Sequence, residues 1–230
     1  LVYEVSYMGI LAGEAVMAVL DKKEIKGRES FHIVSTVESN DFVSFFYPVR
    51  DRIESFIDAE TYYSHSIKIK QRQGRKKREK VIDFDQIRHR ALQTKKDKGE
   101  LKQQAFDIPP EVQDSLSALY YFRMHQDLQV GESVFIPVHE SDKNWKLEIK
   151  VLAKESLKTA LGRFDTLKVK ALVRYEGVFM DKGDVTLWVT DDEKHIPLLI
   201  ETKIKIGHIN ASLVGMDEGN RSFAKIDASM

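Results

Sequence analysis

The sequence predicts an all-β, mainly antiparallel fold: a strongly curved or barrel-like sheet with one amphipathic helix packed on it. Three observations carry this. Apolar and polar residues alternate with period two along most of the chain, Gly-containing turns punctuate the alternation, and one segment switches to helical spacing.

The alternation is clearest in the C-terminal half. Leu167, Val169, Ala171, Val173 and Tyr175 share one face, opposite Thr166, Lys168, Lys170 and Arg174. Trp145, Leu147, Ile149 and Val151 oppose Lys146, Glu148 and Lys150, and Ile200, Thr202, Ile204 and Ile206 oppose Glu201, Lys203 and Lys205. Successive side chains of a strand point to opposite faces, so each segment reads as a strand with one wet face. Parallel strands, buried on both faces, would read as continuous apolar runs.

Further strands are expected at 1–8, 14–20, 30–37, 50–57, 62–72, 76–83, 86–94, 100–106, 133–139 and 185–190. Turn residues separate several of them: Gly9, Gly13, Gln73-Gly74, Lys98-Gly99 and Asp181-Lys182-Gly183-Asp184. The helical exception follows Pro109-Pro110. Asp114 or Ser115 supplies a cap whose side-chain oxygen can accept first-turn amides, and Leu116, Leu119, Tyr120 and Arg123 follow at 3.6 spacing, widened by Phe122. This helix is expected to end near Asp127 and to plug one end or the concave side of the sheet. A second helical turn is expected at 41–47, before Pro48. No internal repeat or compositional break divides the chain, which reads as one β domain over 1–216 with a weakly patterned tail at 217–230.

Composition narrows the function classes. The 36 basic and 36 acidic residues give a net charge of +0, which removes the global argument for a nucleic-acid binder. The chain contains 0 Cys, which excludes thiol catalysis, Cys-based zinc sites and disulfides. The apolar runs, such as Met8–Leu11 and His195–Ile200, are strand-sized, far short of the roughly 18 residues of a membrane-spanning helix. The chain opens at Leu1 already inside a strand pattern, so an upstream signal peptide is expected.

Four groups of residues are candidates for function. The segment 68–102 holds fourteen Lys or Arg against five acids, about +9. Lys68, Lys70, Arg72, Arg75, Lys76, Lys77, Arg78 and Lys80 form its densest part and fit an anionic partner such as a lipid headgroup or polysaccharide. Against that, charged strand faces are ordinary solvated surface and protect sheet edges from aggregation. The aromatic interleaving of a nucleic-acid stacking platform is missing. Phe42, Phe45, Phe46, Tyr47, Tyr120 and Phe122 form the second group and fit an apolar cavity or simply the core. Arg50, Asp51, Arg52 and Glu54 alternate in sign along one strand and read as structural ion pairs, with Arg123 of the helix as partner to one of the acids. Asp191-Asp192-Glu193-Lys194-His195 concentrates two carboxylates and a histidine, the raw material of a metal or acid–base site, but also of a turn rich in local hydrogen bonds. Histidines at a His-x-x-x-His spacing, a nucleophile elbow and a phosphate-cradling Gly loop are all missing, so no catalytic, metal or cofactor residue is assigned and no cofactor is expected.

Several blocks in order resemble an exported bacterial family catalogued as domain of unknown function 3108. They are Tyr3–Gly13, Tyr47–Ser55 (YPVRDRIES), Asp114–Arg123 (DSLSALYYFR), Gly162–Val169, Leu187–Asp192, Ile196-Pro197 and Ile206-Gly207. The resemblance implies a signal peptide and a place in the periplasm or outer envelope, and no catalytic residues. The basic segment falls between the matching blocks. Together these readings lead to the expectation of a non-catalytic envelope protein that binds an apolar or amphipathic ligand such as a lipid. The alternative is an anionic-polysaccharide module built on 68–102. A hydrolase of envelope polymers and a scaffold recruiting a protein partner are further expectations of lower rank.

Overall fold

A computed structural model describes residues 1–97, 100–124, 128–140, 142–175, 178–179 and 185–217. The expected turns at Lys98-Gly99 and 181–184, the helix end near Asp127 and the tail beyond Asp217 lie outside the described residues. In chain order the elements are β1 (Val2–Tyr7), β2 (Ile10–Ile25), β3 (Arg28–Ser39), α1 (Asp41–Phe46), β4 (Val49–Asp58), β5 (Ser64–Gln73), β6 (Lys76–Asp85), β7 (Arg90–Asp97), β8 (Glu100–Asp107), α2 (Ser117–Arg123), β9 (Ser133–Glu140), β10 (Lys143–Thr159), β11 (Gly162–Tyr175), β12 (Val178–Phe179), β13 (Val185–Thr190), β14 (Pro197–Lys203) and β15 (His208–Gly215).

The strands form one antiparallel sheet in the order β8-β7-β6-β5-β4-β3-β2-β1-β15-β14-β13-β11-β10-β9, with β12 paired to β11. Two meanders, one from each end of the chain, thus meet where β1 pairs with β15. The predicted all-β, barrel-like class is the observed one. Its boundaries differ in places: 204–207 is a turn rather than the end of a strand, 86–89 is a turn before β7, and β15 is a strand that the sequence reading did not list.

The chain between β8 and α2 ties the edge strand β9 to the β4–β5 and β6–β7 turns. Gln113 N donates to Pro137 O at 2.8 Å and His139 N donates to Gln113 O at 2.9 Å, forming a parallel bridge to β9. On the other side Gln113 Nε2 donates to Tyr62 O, while Gln86 Nε2 donates to both Ser64 O and Val112 O. This strap satisfies backbone groups along the β9 edge and at the β4–β5 turn.

The helix α2 follows the strap into the concave side. Ala118 and Phe122, four residues apart on one helix face, pack with Ile136, Ile149, Val151, Leu167, Val169 and Val189. Just before the helix, Leu116 packs with Ile33 and Ile57 on β3 and β4, and Val112 and Ile108 join Ile67, Ile82 and Phe84. The plug is therefore gripped from several walls. Its most buried face runs through Ala118 and Phe122, with Leu119 and Tyr120 only half-buried, because strands surround the helix rather than flank one stripe.

Candidate functional site

Strand register sets which loops share an end of the fold. The β1–β2 turn (7–10), the β3–α1–β4 connection (40–48), the β5–β6 turn (73–76) and the β14–β15 turn (204–207) all lie at one end, since β1 to β5, β14 and β15 are successive antiparallel neighbours. Contacts confirm the grouping. Asn40 Nδ2 donates to Leu11 O at 2.8 Å, Tyr7 OH donates to Ile206 O at 3.1 Å, and Met8 N donates to His208 O at 3.1 Å.

This end is apolar and uncovered. Asn40 caps α1 by accepting from Val43 N, and the short helix holds Phe42, Phe45 and Phe46 at 69%, 83% and 73% exposure. Their rings meet edge to face, with centroids 5.9 Å (Phe42–Phe46) and 4.9 Å (Phe45–Phe46) apart. Met8, Ile10, Leu11, Tyr47 and Ile206 are exposed at the same end. Phe42, Phe45, Phe46 and Tyr47 are therefore neither core nor the lining of an enclosed cavity. A six-residue helix standing on a turn has no wall to pack against. Phe122 is core and Tyr120 half-buried.

Cations border the tip. The glycine of the β5–β6 turn, Gly74, lies against the Tyr47 ring, which brings the exposed Arg75, Lys76 and Lys77 beside the aromatics. Gly207 lies against Met8 and Tyr7, bringing the exposed Lys203 and Lys205 to the other flank. Asp41 is the acid in the first turn of α1.

The basic segment as a whole is not one patch. Cross-strand pairs place Lys68, Lys70, Arg72 and Lys77 on one face of β5–β6, and Lys76, Arg78 and Lys80 on the other, with Ile67, Ile69, Ile82 and Phe84. Lys68 lies over the Phe56 ring at 5.0 Å. Lys80 reaches Glu140 of β9 at 3.7 Å, its side chain only 10% exposed.

The charged residues of β4 divide among several partners. Arg52 Nε donates to Glu54 Oε1 at 2.9 Å, and His32 shares Glu54 from the other side at 2.7 Å. Burial opposes ionisation of Glu54, but these two partners outweigh it and hold its carboxyl below the usual range. Asp51 instead accepts from Gln71 Nε2, Gln73 Nε2 and Arg72 N. Arg50 is exposed. Arg123 departs from expectation: it donates to Lys194 O at 3.1 Å and stacks over the Tyr120 ring at 5.1 Å, because α2 points its last turn at the β13–β14 turn and away from Asp51 and Glu54.

That turn is the 191–195 segment. Asp192 Oδ1 accepts from Thr190 Oγ1, Lys194 N and His195 N, Asp191 pairs with Lys154, and the buried His195 ring lies 3.3 Å from Arg123 O. Asp192 thus serves local turn bonds and Asp191 an ion pair to β10. Among the described residues no group of three or more His, Asp or Glu could hold a metal ion. No helix among them is long and apolar enough to cross a membrane.

A family model described as a protein of unknown function, DUF3108, matches residues 2–214. The chain belongs to that family. Among solved structures, this DUF3108 chain is similar to the beta-barrel-like protein of domain of unknown function DUF1849 from Brucella abortus. The TM-score is 0.61 over 94% of this chain and 95% of that one, at 8% identity, which makes it a likeness of fold. A search of curated proteins found no match.

One feature of the DUF3108 chain that the sequence reading treated only as a cap is a buried polar node. Asp114 accepts from Ser55 Oγ and Ser64 Oγ through Oδ2, and from the amides of Leu116 and Ser117 through Oδ1. Burial pushes its carboxyl up despite these four donors. All its partners are structural, and it lies under the plug rather than at the tip.

Proposed function

We propose that this protein is a binding protein of the cell envelope whose exposed aromatic tip engages the acyl region of lipid at a membrane surface. One observation carries the reading: Phe42, Phe45 and Phe46 are all more than two-thirds exposed on a single short helix, at the end of the fold that also exposes Met8, Ile10, Leu11 and Ile206. Water-exposed apolar clusters of this kind mark sites of contact with another apolar body. Burying apolar surface yields roughly 25 cal/mol per Å², so three phenyl rings entering acyl chains supply several kcal/mol. The choice of lipid over protein rests on the border of Arg75, Lys76, Lys77, Lys203 and Lys205, since aromatics with basic residues beside them suit anionic headgroups over acyl chains.

Vesicle flotation tests this. The wild-type chain is expected to float with phosphatidylglycerol-containing vesicles, and a Phe45→Ser/Phe46→Ser variant of unchanged melting temperature is expected to remain in the soluble fraction. Equal flotation of the two would sink the reading. The anionic-polysaccharide alternative rests on Lys68, Lys70, Arg72 and Lys77, which share one open face. It predicts binding that survives the double substitution and falls steeply with salt.

A further inference from the structure

The inner face of β6, β7 and β8 is laid out in three rows, fixed by the cross-strand pairs. Phe84, Ala91 and Phe106 form the first; Ile82, Gln93 and Gln104 the second; Lys80, Lys95 and Lys102 the third. Adjacent rows stand about 7 Å apart, two residues along a strand. The first row is apolar and closed over by His139, whose ring meets Phe84 and Phe106 at 6.2 Å and 5.1 Å. The third sets three lysines in register on neighbouring strands. Like charges in register on neighbouring strands destabilise a sheet.

Burial changes along the lysine row. Lys80 is nearly enclosed and shares Glu140, Lys95 is half-buried, and Lys102 is exposed, so the row leads from solvent to the interior. Beside it lies Gln93, 1% exposed, with neither its amide nitrogen nor its amide oxygen bonded to any partner among the described residues. An unpaired buried amide destabilises the fold more than a Leu in its place would. His139 Nε2 is likewise buried without a partner, while its Nδ1 pairs with Asn144 Oδ1 at 2.7 Å. Burial holds the His139 ring below its ordinary titration range, and the nearby charge of Lys80 acts in the same direction.

We propose that Lys80, Lys95 and Lys102, with the Gln93 amide, form an oxyanion site that takes a phosphate group, either as the free ion or as the headgroup of a phospholipid. A phosphate placed beside the half-buried Lys95 would accept charge-assisted hydrogen bonds from the lysine row and give the Gln93 nitrogen an acceptor. The site is separate from the aromatic tip and stands or falls independently of it.

Calorimetric titration of the purified chain with inorganic phosphate, and separately with a soluble short-chain phosphatidic acid, tests the proposal. Saturable binding of at least one probe at one site per chain is expected. If only phosphate binds, the ligand is the free ion; if the lipid binds more tightly, it is a headgroup. Lys95→Gln should weaken binding at least tenfold and Lys95→Arg no more than about threefold. Lys158→Gln, which removes the same charge from an exposed position near the end of β10, should change it less than twofold. Gln93→Leu should raise the melting temperature without phosphate and abolish the further rise that phosphate gives the wild type. No saturable binding of either probe, or equal weakening by Lys95→Gln and Lys158→Gln, would overturn the site.

Discussion

Ser55 Oγ donates a 2.6 Å hydrogen bond to the fully buried carboxylate of Asp114, tying the middle of β4 to the start of the plug helix. Ser64 makes the equivalent bond at 2.5 Å from the start of β5, and the two first-turn amides complete the set. Asp114→Ala would strand two hydroxyls and two amides and is expected to lower unfolding free energy by about 3 kcal/mol. Asp114→Asn keeps an acceptor for the amides and should remain folded.

The same residue sets a pH dependence. Burial raises the folded-state value of Asp114 above that of the unfolded chain. Its contribution is therefore complete below the unfolded carboxyl value and is lost as pH rises through the raised folded value. Denaturation of wild type and Asp114→Asn across pH 4 to 8 should show the Asn variant gaining stability relative to the wild type as pH rises. Parallel curves would mean that the carboxyl is not held up.

His139 contributes with the opposite sign. Its folded value is lowered, chiefly by burial, so the unfolded state takes up the proton more readily. Stability is full above the unfolded histidine value, about 6.5, and falls as pH drops below it toward the lowered folded value. Replacing His139 with Gln should flatten the loss between pH 7 and pH 5, measured by urea denaturation. His65, lowered by burial in the same way, keeps part of the slope in that variant.

Gly13 is a backbone requirement rather than a turn device. A Cβ there would overlap the carbonyl oxygen of Glu38 on β3, next to the bulge between Val5 and Ser6 on β1. Gly13→Ala must push backbone apart and is expected to cost about 1–3 kcal/mol. Gly9, where a Cβ would meet nothing within 4 Å, pays only for its positive φ of 83° and should cost less.

The strand framework was legible because period-two alternation is a direct consequence of the pleat. Leu167, Val169 and Ala171 face inward as read, and Asp114 caps the plug as read. β15 escaped because its inner face is Ile209, Ala211 and Leu213 and its outer face Asn210, Ser212 and Val214, a contrast too small to stand out. The charged end of β2, Asp21 to Glu24, escaped because it is exposed on both sides. The aromatic tip could be located in sequence but not placed: four aromatics in six residues suit burial as well as exposure, and the fate of α1 depends on which loops surround it. The lysine row left half a signal. Lys80 stands two residues from Ile82 and four from Phe84, hence on their face, but only the pairing of β6, β7 and β8 brings Lys95 and Lys102 into line with it.

The most direct test of the lipid-contacting tip is the emission of a Phe45→Trp variant as vesicles are added. The two native tryptophans, Trp145 and Trp188, are buried and supply a constant background. A blue shift of the added signal, with quenching by lipids brominated along their acyl chains, is the predicted result. An emission maximum that stays at its water-exposed position at saturating lipid, with no quenching, would contradict the account.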